Sequence, residues 1–215
     1  MTRRAVIIEI EELLFDTRDM RVDALQAALL VGNVVVSRDD VLHAHAGRPA
    51  IVALTRLDAA SVLDATAREL VLRRAADHVQ RSLELQAPSF DAAARDALQQ
   101  LAAEYPLGVV TRATRADAAG LLELAGLDAA VSVVRSVDER DEPRQHEIWS
   151  DVLMRLHATD GIAIAPAAML PAAGRAGLRT VAVDMLPSRQ AGAAPWNAKL
   201  ASLSCVNASF IASLT

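Results

Sequence analysis

The sequence contains almost no cysteine and few aromatic residues. Cys205 is the only cysteine among 215 residues, which excludes an intrachain disulfide and a cysteine-rich zinc site. Aromatic residues make up 3% of the chain, and the formal net charge is −5. Binding to nucleic acid depends on positive charge that neutralises phosphates and on aromatic rings that stack with bases. We therefore expect no nucleic-acid partner.

Lysine is also nearly missing, because Lys199 is the only lysine among 22 basic residues. A coding bias toward arginine and alanine explains this composition. Its consequence is nevertheless chemical. Any reaction step that needs a lysine has one candidate side chain in this sequence.

Long apolar runs are absent, since acidic residues or arginines interrupt every segment that approaches the roughly 18 residues needed to span a bilayer. The segment MTRRAVIIEIEELLF begins like a signal peptide. However, Glu9, Glu11 and Glu12 fall where an uninterrupted apolar stretch would be required. We expect no membrane span and a cytoplasmic protein. Hydrophobic residues make up 53% of the chain and charged residues 23%, a balance typical of folded domains.

Hydrophobic periodicity divides the chain into a helical block and an alternating block. The β-branched run from Arg4 to Ile10 predicts a buried strand. Residues 18–87 read as helices, with one weak strand at 34–36. The remainder alternates predicted strands with helices of about 10 to 15 residues, a pattern typical of βαβ units on a parallel sheet. These later strands are predicted at residues 107–110, 130–134, 161–165 and 179–183.

Four motifs follow one another along this pattern. The stretch AVIIEIEELLFDT places Glu9 and Glu11 directly after the first strand and ends in Asp16-Thr17. AGRPAIVAL contains Arg48, LGVVTRATR ends a strand at Thr111, and AAGRAGLRTVAV joins a helix to a strand. In order and spacing, these motifs resemble the haloacid dehalogenase superfamily, in its phosphoglycolate phosphatase and β-phosphoglucomutase branch. The resemblance covers nearly the whole chain.

The resemblance implies a fold and a domain organisation. We expect an α/β protein with a Rossmann-like three-layer core built on a parallel sheet. Residues 1–17 and 88–215 would form that core, and residues 18–87 would form an inserted helical cap. Strand ends that carry Glu9, Thr111, Glu142 and Ala165 should then meet at the carboxyl edge of one sheet, where open α/β sheets bind ligands.

The resemblance also implies roles for particular residues. In the family, the first Asp of an Asp-x-Asp-Gly motif attacks phosphorus, the second acts as acid and base, and the first helps to hold Mg²⁺. Glu9 and Glu11 occupy the two Asp positions and Glu12 the Gly position. Glu9, Glu11 and Thr111 are thus the implied catalytic positions, with Glu9 and Glu11 also the metal candidates. The implied substrate ligands are Arg48, Arg112 and Arg144.

The departures from the family pattern lie in the catalytic motifs. Each Glu adds a methylene that displaces the carboxylate by about 1 to 1.5 Å, and in-line attack tolerates such misplacement poorly. Glu142 stands where the family has a lysine, and Lys199 lies too far along the chain to replace it. Ala165 and Pro166 stand where the distal acids are expected, with Asp184 as a remote substitute.

Two functional interpretations follow from these motifs. The first is a catalytically impaired relative of small-molecule phosphatases that acts through binding or assembly, with Glu9 and Glu11 as solvated carboxylates and no metal. The second is an active phosphatase on a small phosphorylated metabolite, with Glu9 as nucleophile, Glu11 as acid and base, and a divalent metal such as Mg²⁺. A dehalogenase is disfavoured, because Glu11 retains an acid that such an enzyme does not require. The sequence identifies no protein partner.

Overall fold

The chain folds as two compact units. The computed structural model describes residues 4–45, 48, 50–57, 62–137, 144–183 and 196–214. One unit, here called the core unit, comprises residues 1–15 and 90–215, and the other, the helical unit, comprises residues 16–89. The domain boundaries predicted from the sequence lie two residues from these divisions. Among the described residues, no helix combines the length and apolar character needed to cross a bilayer.

The core unit is built on a six-stranded sheet in which all neighbouring strands are parallel. The strands are β1 Arg4–Ile8, β2 Leu107–Thr111, β3 Val131–Ser136, β4 Asp160–Ala165, β5 Arg179–Val183 and β6 Ala198–Leu200. Their order across the sheet is β3-β2-β1-β4-β5-β6. The predicted α/β class with a Rossmann-like parallel sheet is therefore confirmed. The short edge strand β6 was not predicted, because its three residues carry no apolar run.

Nine α-helices and a short 3₁₀ helix, Leu203–Cys205, are found among the described residues. Those of the helical unit are α1 Arg18–Val31, α2 Arg38–His45, α3 Ala50–Arg56 and α4 Ala65–Leu85. Those of the core unit are α5 Ala92–Ala102, α6 Arg115–Ala125, α7 Gln145–Arg155, α8 Leu170–Arg175 and α9 Ala208–Ser213.

The sheet is buried because helices flank it. Ile7 and Ile8 in β1 and Ile164 in β4 have no exposed surface, as expected for parallel strands covered by helices. Trp149 of α7 is fully buried in the same hydrophobic cluster as Ile7, and so anchors its helix against the sheet. Gly108 in β2 allows this close packing, since a Cβ there would lie 2.5 Å from a methyl group of Val152.

The helical unit has its own small core, formed chiefly where α1 packs against α4. Asp64 begins α4 by accepting the backbone N–H of Ala67, as helix N-caps do. The weak strand predicted at residues 34–36 is wrong, because this segment is a loop. Its carbonyl at Val36 accepts a hydrogen bond from the side chain of Gln26 rather than from a partner strand.

Candidate active site

The topology brings three sequence-predicted positions to one edge of the sheet. Strand β1 lies between β2 and β4, and the carboxyl ends of parallel neighbours meet at the same edge. Glu9 directly follows β1 and donates its backbone N–H to Ile164 in β4 at 3.0 Å. Thr111 ends β2 and Ala165 ends β4. The strand order reverses at β1 and β4, which is where open α/β sheets bind ligands.

The carboxylate of Glu9 is held by the loop that follows it. Its Oε1 accepts the backbone N–H of Glu11 at 2.9 Å, and its Oε2 accepts the backbone N–H of Glu12 at 3.1 Å. A side chain that accepts amides two and three residues ahead stabilises a turn, and residues 11–14 do form one. Glu9 therefore ends the strand and shapes the loop with the same carboxylate.

The interpretation of Glu9 and Glu11 as solvated carboxylates is wrong. Both residues have an exposed fraction of 0%, and each has hydrogen-bond partners inside the core unit. Thr111, equally buried, donates its hydroxyl to Oε2 of Glu11 at 3.2 Å and accepts the backbone N–H of Ala113 at 3.1 Å. This hydroxyl links the loop after β1 to the end of β2.

A buried ion pair completes the cluster. Nη1 of Arg112 donates to Oε1 of Glu12 at 3.1 Å, and its Nη2 lies 3.8 Å from Oε1 of Glu9. Arg112 is 2% exposed and Glu12 is 7% exposed. Sequence reasoning considered Arg112 only as a substrate ligand. The missed signal was the charge at position 12, where the family pattern has glycine and this chain places a carboxylate that needs a counter-ion.

Among the contacts that the structure describes, the members of this cluster are unbalanced in formal charge. Glu9, Glu11 and Glu12 contribute three carboxylates, and Arg112 contributes one guanidinium; all four side chains are buried. Burying a charge is costly unless a partner and hydrogen bonds compensate for lost hydration. The backbone amides at Glu9, the hydroxyl of Thr111 and the guanidinium of Arg112 supply such compensation. We refer to these residues, Glu9, Glu11, Glu12, Thr111 and Arg112, as the edge network.

The other two sequence-predicted ligands, Arg48 and Arg144, have different described contacts. Arg48 belongs to the helical unit, where it lies between α2 and α3 and its N–H donates to His45. Arg144 precedes α7 and forms two hydrogen bonds of 2.9 Å with Glu147, with its side chain 57% exposed. Their roles as substrate ligands stay predictions. Two positions considered in the sequence, Glu142 and Asp184, lie outside the described residues.

The described residues at this edge do not fit a magnesium site. Mg²⁺ prefers octahedral oxygen ligands that include carboxylates, but β4 ends in Ala165 and Pro166. Both oxygens of Glu9 already accept amide hydrogens, and a guanidinium lies 3.8 Å from one of them. Within the described ranges, no group of three or more His, Cys, Asp or Glu side chains could hold a metal ion.

Lys199 is also remote from Glu9. It lies in β6, which is separated from β1 by β4 and β5. Three strand spacings amount to about 14 Å. The prediction that the single lysine cannot serve the phosphoryl position therefore agrees with the topology.

Comparison with known proteins identifies solved structures that have the same fold. No protein-family model and no curated protein matches the sequence. Solved structures do match, among them a haloacid dehalogenase-like hydrolase from Streptococcus pneumoniae with a TM-score of 0.76 and 12% identity, covering 100% of this chain and 99% of that one. A β-phosphoglucomutase from Clostridium difficile has a TM-score of 0.78 and 12% identity, covering 99% and 96%.

A third match is CbbY from Rhodobacter sphaeroides in complex with phosphate, with a TM-score of 0.77 and 16% identity, covering 95% of this chain and 96% of that one. A variant of CbbY was solved in complex with xylulose-1,5-bisphosphate. The chain thus has the fold of haloacid dehalogenase-like hydrolases. The solved structures that share this fold include a β-phosphoglucomutase, which belongs to the branch that the motifs resemble.

Proposed function

We propose that this protein is a non-hydrolytic homologue of the haloacid dehalogenase-like phosphatases, which acts through binding or assembly. The observation that supports the proposal is the hydrogen bonding of the Glu9 carboxylate. Its carboxylate stands at the position of the family nucleophile, yet both of its oxygens accept backbone N–H groups from Glu11 and Glu12. The carboxylate serves as a structural acceptor for its own loop.

This arrangement opposes nucleophilic attack on phosphorus. Attack requires a carboxylate oxygen with an available lone pair, aligned with the phosphorus atom and the leaving group. Hydrogen bonds to both oxygens lower the nucleophilicity of Glu9 and fix its orientation toward the turn. Its exposed fraction of 0% adds a further obstacle, because a phosphate ester would have to displace existing contacts.

The charge at the sheet edge also opposes phosphoryl transfer. Catalysis of this reaction depends mainly on positive charge that stabilises the phosphoryl oxygens. The edge network offers three carboxylates and one guanidinium, and that guanidinium pairs with Glu12. A phosphate dianion placed beside Glu9 and Glu11 would meet like charge.

The alternative is an active phosphatase on a small phosphorylated metabolite. It is favoured by the convergence of Glu9, Glu11 and Thr111 at the ligand-binding edge of the sheet. The phosphate and xylulose-1,5-bisphosphate complexes of CbbY give a reason to include such ligands in the assay. In this alternative Glu9 attacks phosphorus, Glu11 transfers the proton and a divalent metal supplies the missing positive charge.

A turnover assay separates the two functions. The natural protein, Glu9→Gln and the control Glu123→Gln, which changes an exposed carboxylate on α6, would be incubated with sugar phosphates, a sugar bisphosphate and phosphoglycolate. Each reaction would contain Mg²⁺, Mn²⁺ or Co²⁺. We expect phosphate release by the natural protein to equal that by Glu9→Gln. Turnover of about 1 s⁻¹ or more that Glu9→Gln abolishes and Glu123→Gln retains would establish the active phosphatase instead.

A further inference from the structure

We infer that Arg112 is the resident cation of the sheet edge, held there by Glu12, and that it takes the place of a metal ion. This inference deepens the proposed function, because it states what neutralises the acidic loop in a protein that does not hydrolyse phosphate. It rests on the guanidinium lying 3.1 Å from the carboxylate of Glu12 and 3.8 Å from that of Glu9. All three side chains are more than nine-tenths buried.

The two residues require each other. Glu12 and Arg112 are one hundred positions apart in the sequence. Glu12 is buried, and a buried carboxylate without a counter-ion would be strongly unfavourable. Arg112 alone would still face Glu9, but it would lose its closest hydrogen-bond acceptor among the contacts described here. The pair therefore fixes a positive charge at one defined place, beside the carboxylate that ends β1.

The position of this charge explains the poor fit for magnesium. A divalent cation beside Glu9 would lie within a few ångströms of the guanidinium, and two like charges at that separation repel strongly in a buried site. A guanidinium also meets carboxylates with directional N–H donors. Arg112 consequently neutralises part of the acidic loop without any exchangeable ion.

The consequence is a cation response that appears only when Arg112 is lost. The natural protein should be indifferent to divalent cations at this edge. Removing the guanidinium leaves the carboxylates of Glu9 and Glu12, the two that lie within 4 Å of it, beside the vacated volume. One or two carboxylates together with water can hold a hard divalent cation. A cation that binds only the folded state raises the melting temperature.

Thermal unfolding followed by circular dichroism tests this inference. The natural protein, Arg112→Met, Arg112→Lys and the double variant Glu12→Gln/Arg112→Met would be melted in metal-free buffer and with about 10 mM MgCl₂ or MnCl₂. The matched control is Arg135→Met, which removes a part-buried guanidinium on β3 that pairs with Asp151 at 3.2 Å. The double variant keeps the carboxylate of Glu9 and a side-chain oxygen at position 12 while removing the charge of Glu12, so it serves if Arg112→Met does not fold.

We expect Mn²⁺ or Mg²⁺ to raise the Tm of Arg112→Met, or of the double variant, by about 3 °C or more. The natural protein, Arg112→Lys and Arg135→Met should change by less than about 1 °C. An equal rise in the natural protein would overturn the inference, as would the lack of a rise in both Met variants. Since the readout is unfolding, its failure is distinguishable from failure of the proposed function, which turnover measures.

Discussion

The two edges of the sheet each carry an arginine–carboxylate cluster, but with opposite balance. At the amino edge, Asp160 accepts hydrogen bonds from Arg4 at 2.8 Å and from Arg179 at 2.7 Å. These side chains are 22 to 29% exposed. At the carboxyl edge, the ratio is reversed to three carboxylates for one guanidinium, and no member is more than 7% exposed. One edge is well paired and accessible to water, whereas the other is acidic and buried.

The amino edge illustrates how a structural cluster is built. Arg4, Asp160 and Arg179 begin the neighbouring strands β1, β4 and β5, and Arg4 also donates to the carbonyl of Ile211 in α9. Burial opposes ionisation of Asp160, but hydrogen bonds from Arg179 and Arg4 outweigh it and lower the pKa of this carboxyl group. The cluster holds strand starts and the terminal helix together, at the end of the sheet opposite Glu9.

The cluster at the carboxyl edge is not explained by a similar contribution to stability. Well-packed apolar residues would stabilise a buried strand end at least as well as an ion cluster does. Buried charge at the ligand-binding edge of an α/β sheet is instead typical of functional sites. This difference between the two edges supports the proposal that Arg112 compensates for the acidity of the candidate site.

Arg112→Met should produce the largest effect of the predicted substitutions. We expect a loss of about 3 to 5 kcal/mol in the free energy of unfolding, because the change leaves buried carboxylates without their guanidinium. The double variant Glu12→Gln/Arg112→Met should lose less than the sum of the single variants. Urea unfolding of all four proteins measures this coupling. Additive losses would mean that Glu12 and Arg112 do not act as a pair.

Asp160→Asn should have a smaller and pH-dependent effect. At pH 7 we expect a loss of about 1 to 2 kcal/mol, since the hydrogen bonds to two arginines become weaker without the charge. The pKa of Asp160 in the folded protein is below the ordinary value of 3.8. The stabilisation is therefore present above pH 3.8 and is lost as the pH falls through the folded pKa.

Unfolding of the natural protein and of Asp160→Asn between about pH 2.5 and pH 7 tests this prediction. The two stability curves should converge toward the acidic end. A constant difference across that range would show that the charge on Asp160 does not stabilise the amino edge.

The smallest predicted effect is a difference between the two edges in how salt changes the cost of a substitution. Raising the KCl concentration from about 0.1 M to 1 M shortens the Debye length from about 10 Å to 3 Å. The loss caused by Asp160→Asn should shrink by roughly 0.5 kcal/mol, while the loss caused by Arg112→Met should stay nearly constant because its partners are buried. Equal salt sensitivity at both edges would contradict the contrast in exposure.

Much of the fold was predictable from local patterns. The β-branched run at β1 and the later strand–helix alternation define a parallel sheet, and parallel strands bring their carboxyl ends to one edge. The amino-acid pattern therefore places Glu9, Thr111 and Ala165 at the same edge, and the family resemblance supplied the strand order that makes them neighbours. Strand β6 escaped prediction because its alternating, three-residue sequence gains its strand geometry from pairing with β5.

The edge network was not predictable in the same way. The burial of Glu9 depends on amides two and three residues ahead, and on a guanidinium supplied by the end of β2. Such partners are chosen by tertiary proximity, which hydrophobic periodicity does not encode. A charged residue at position 12, where the family pattern has glycine, was the one local sign that Arg112 would have a carboxylate partner there.

The central claim is that an internal guanidinium, and no metal ion, accompanies Glu9 at the carboxyl edge. A high-resolution crystal structure of the natural protein grown with millimolar Mg²⁺ and phosphate tests it most directly. We predict that Arg112 stays hydrogen-bonded to Glu12 beside Glu9, with neither Mg²⁺ nor phosphate between β1 and β4. A magnesium ion coordinated by Glu9, with Arg112 displaced from Glu12, would contradict the account.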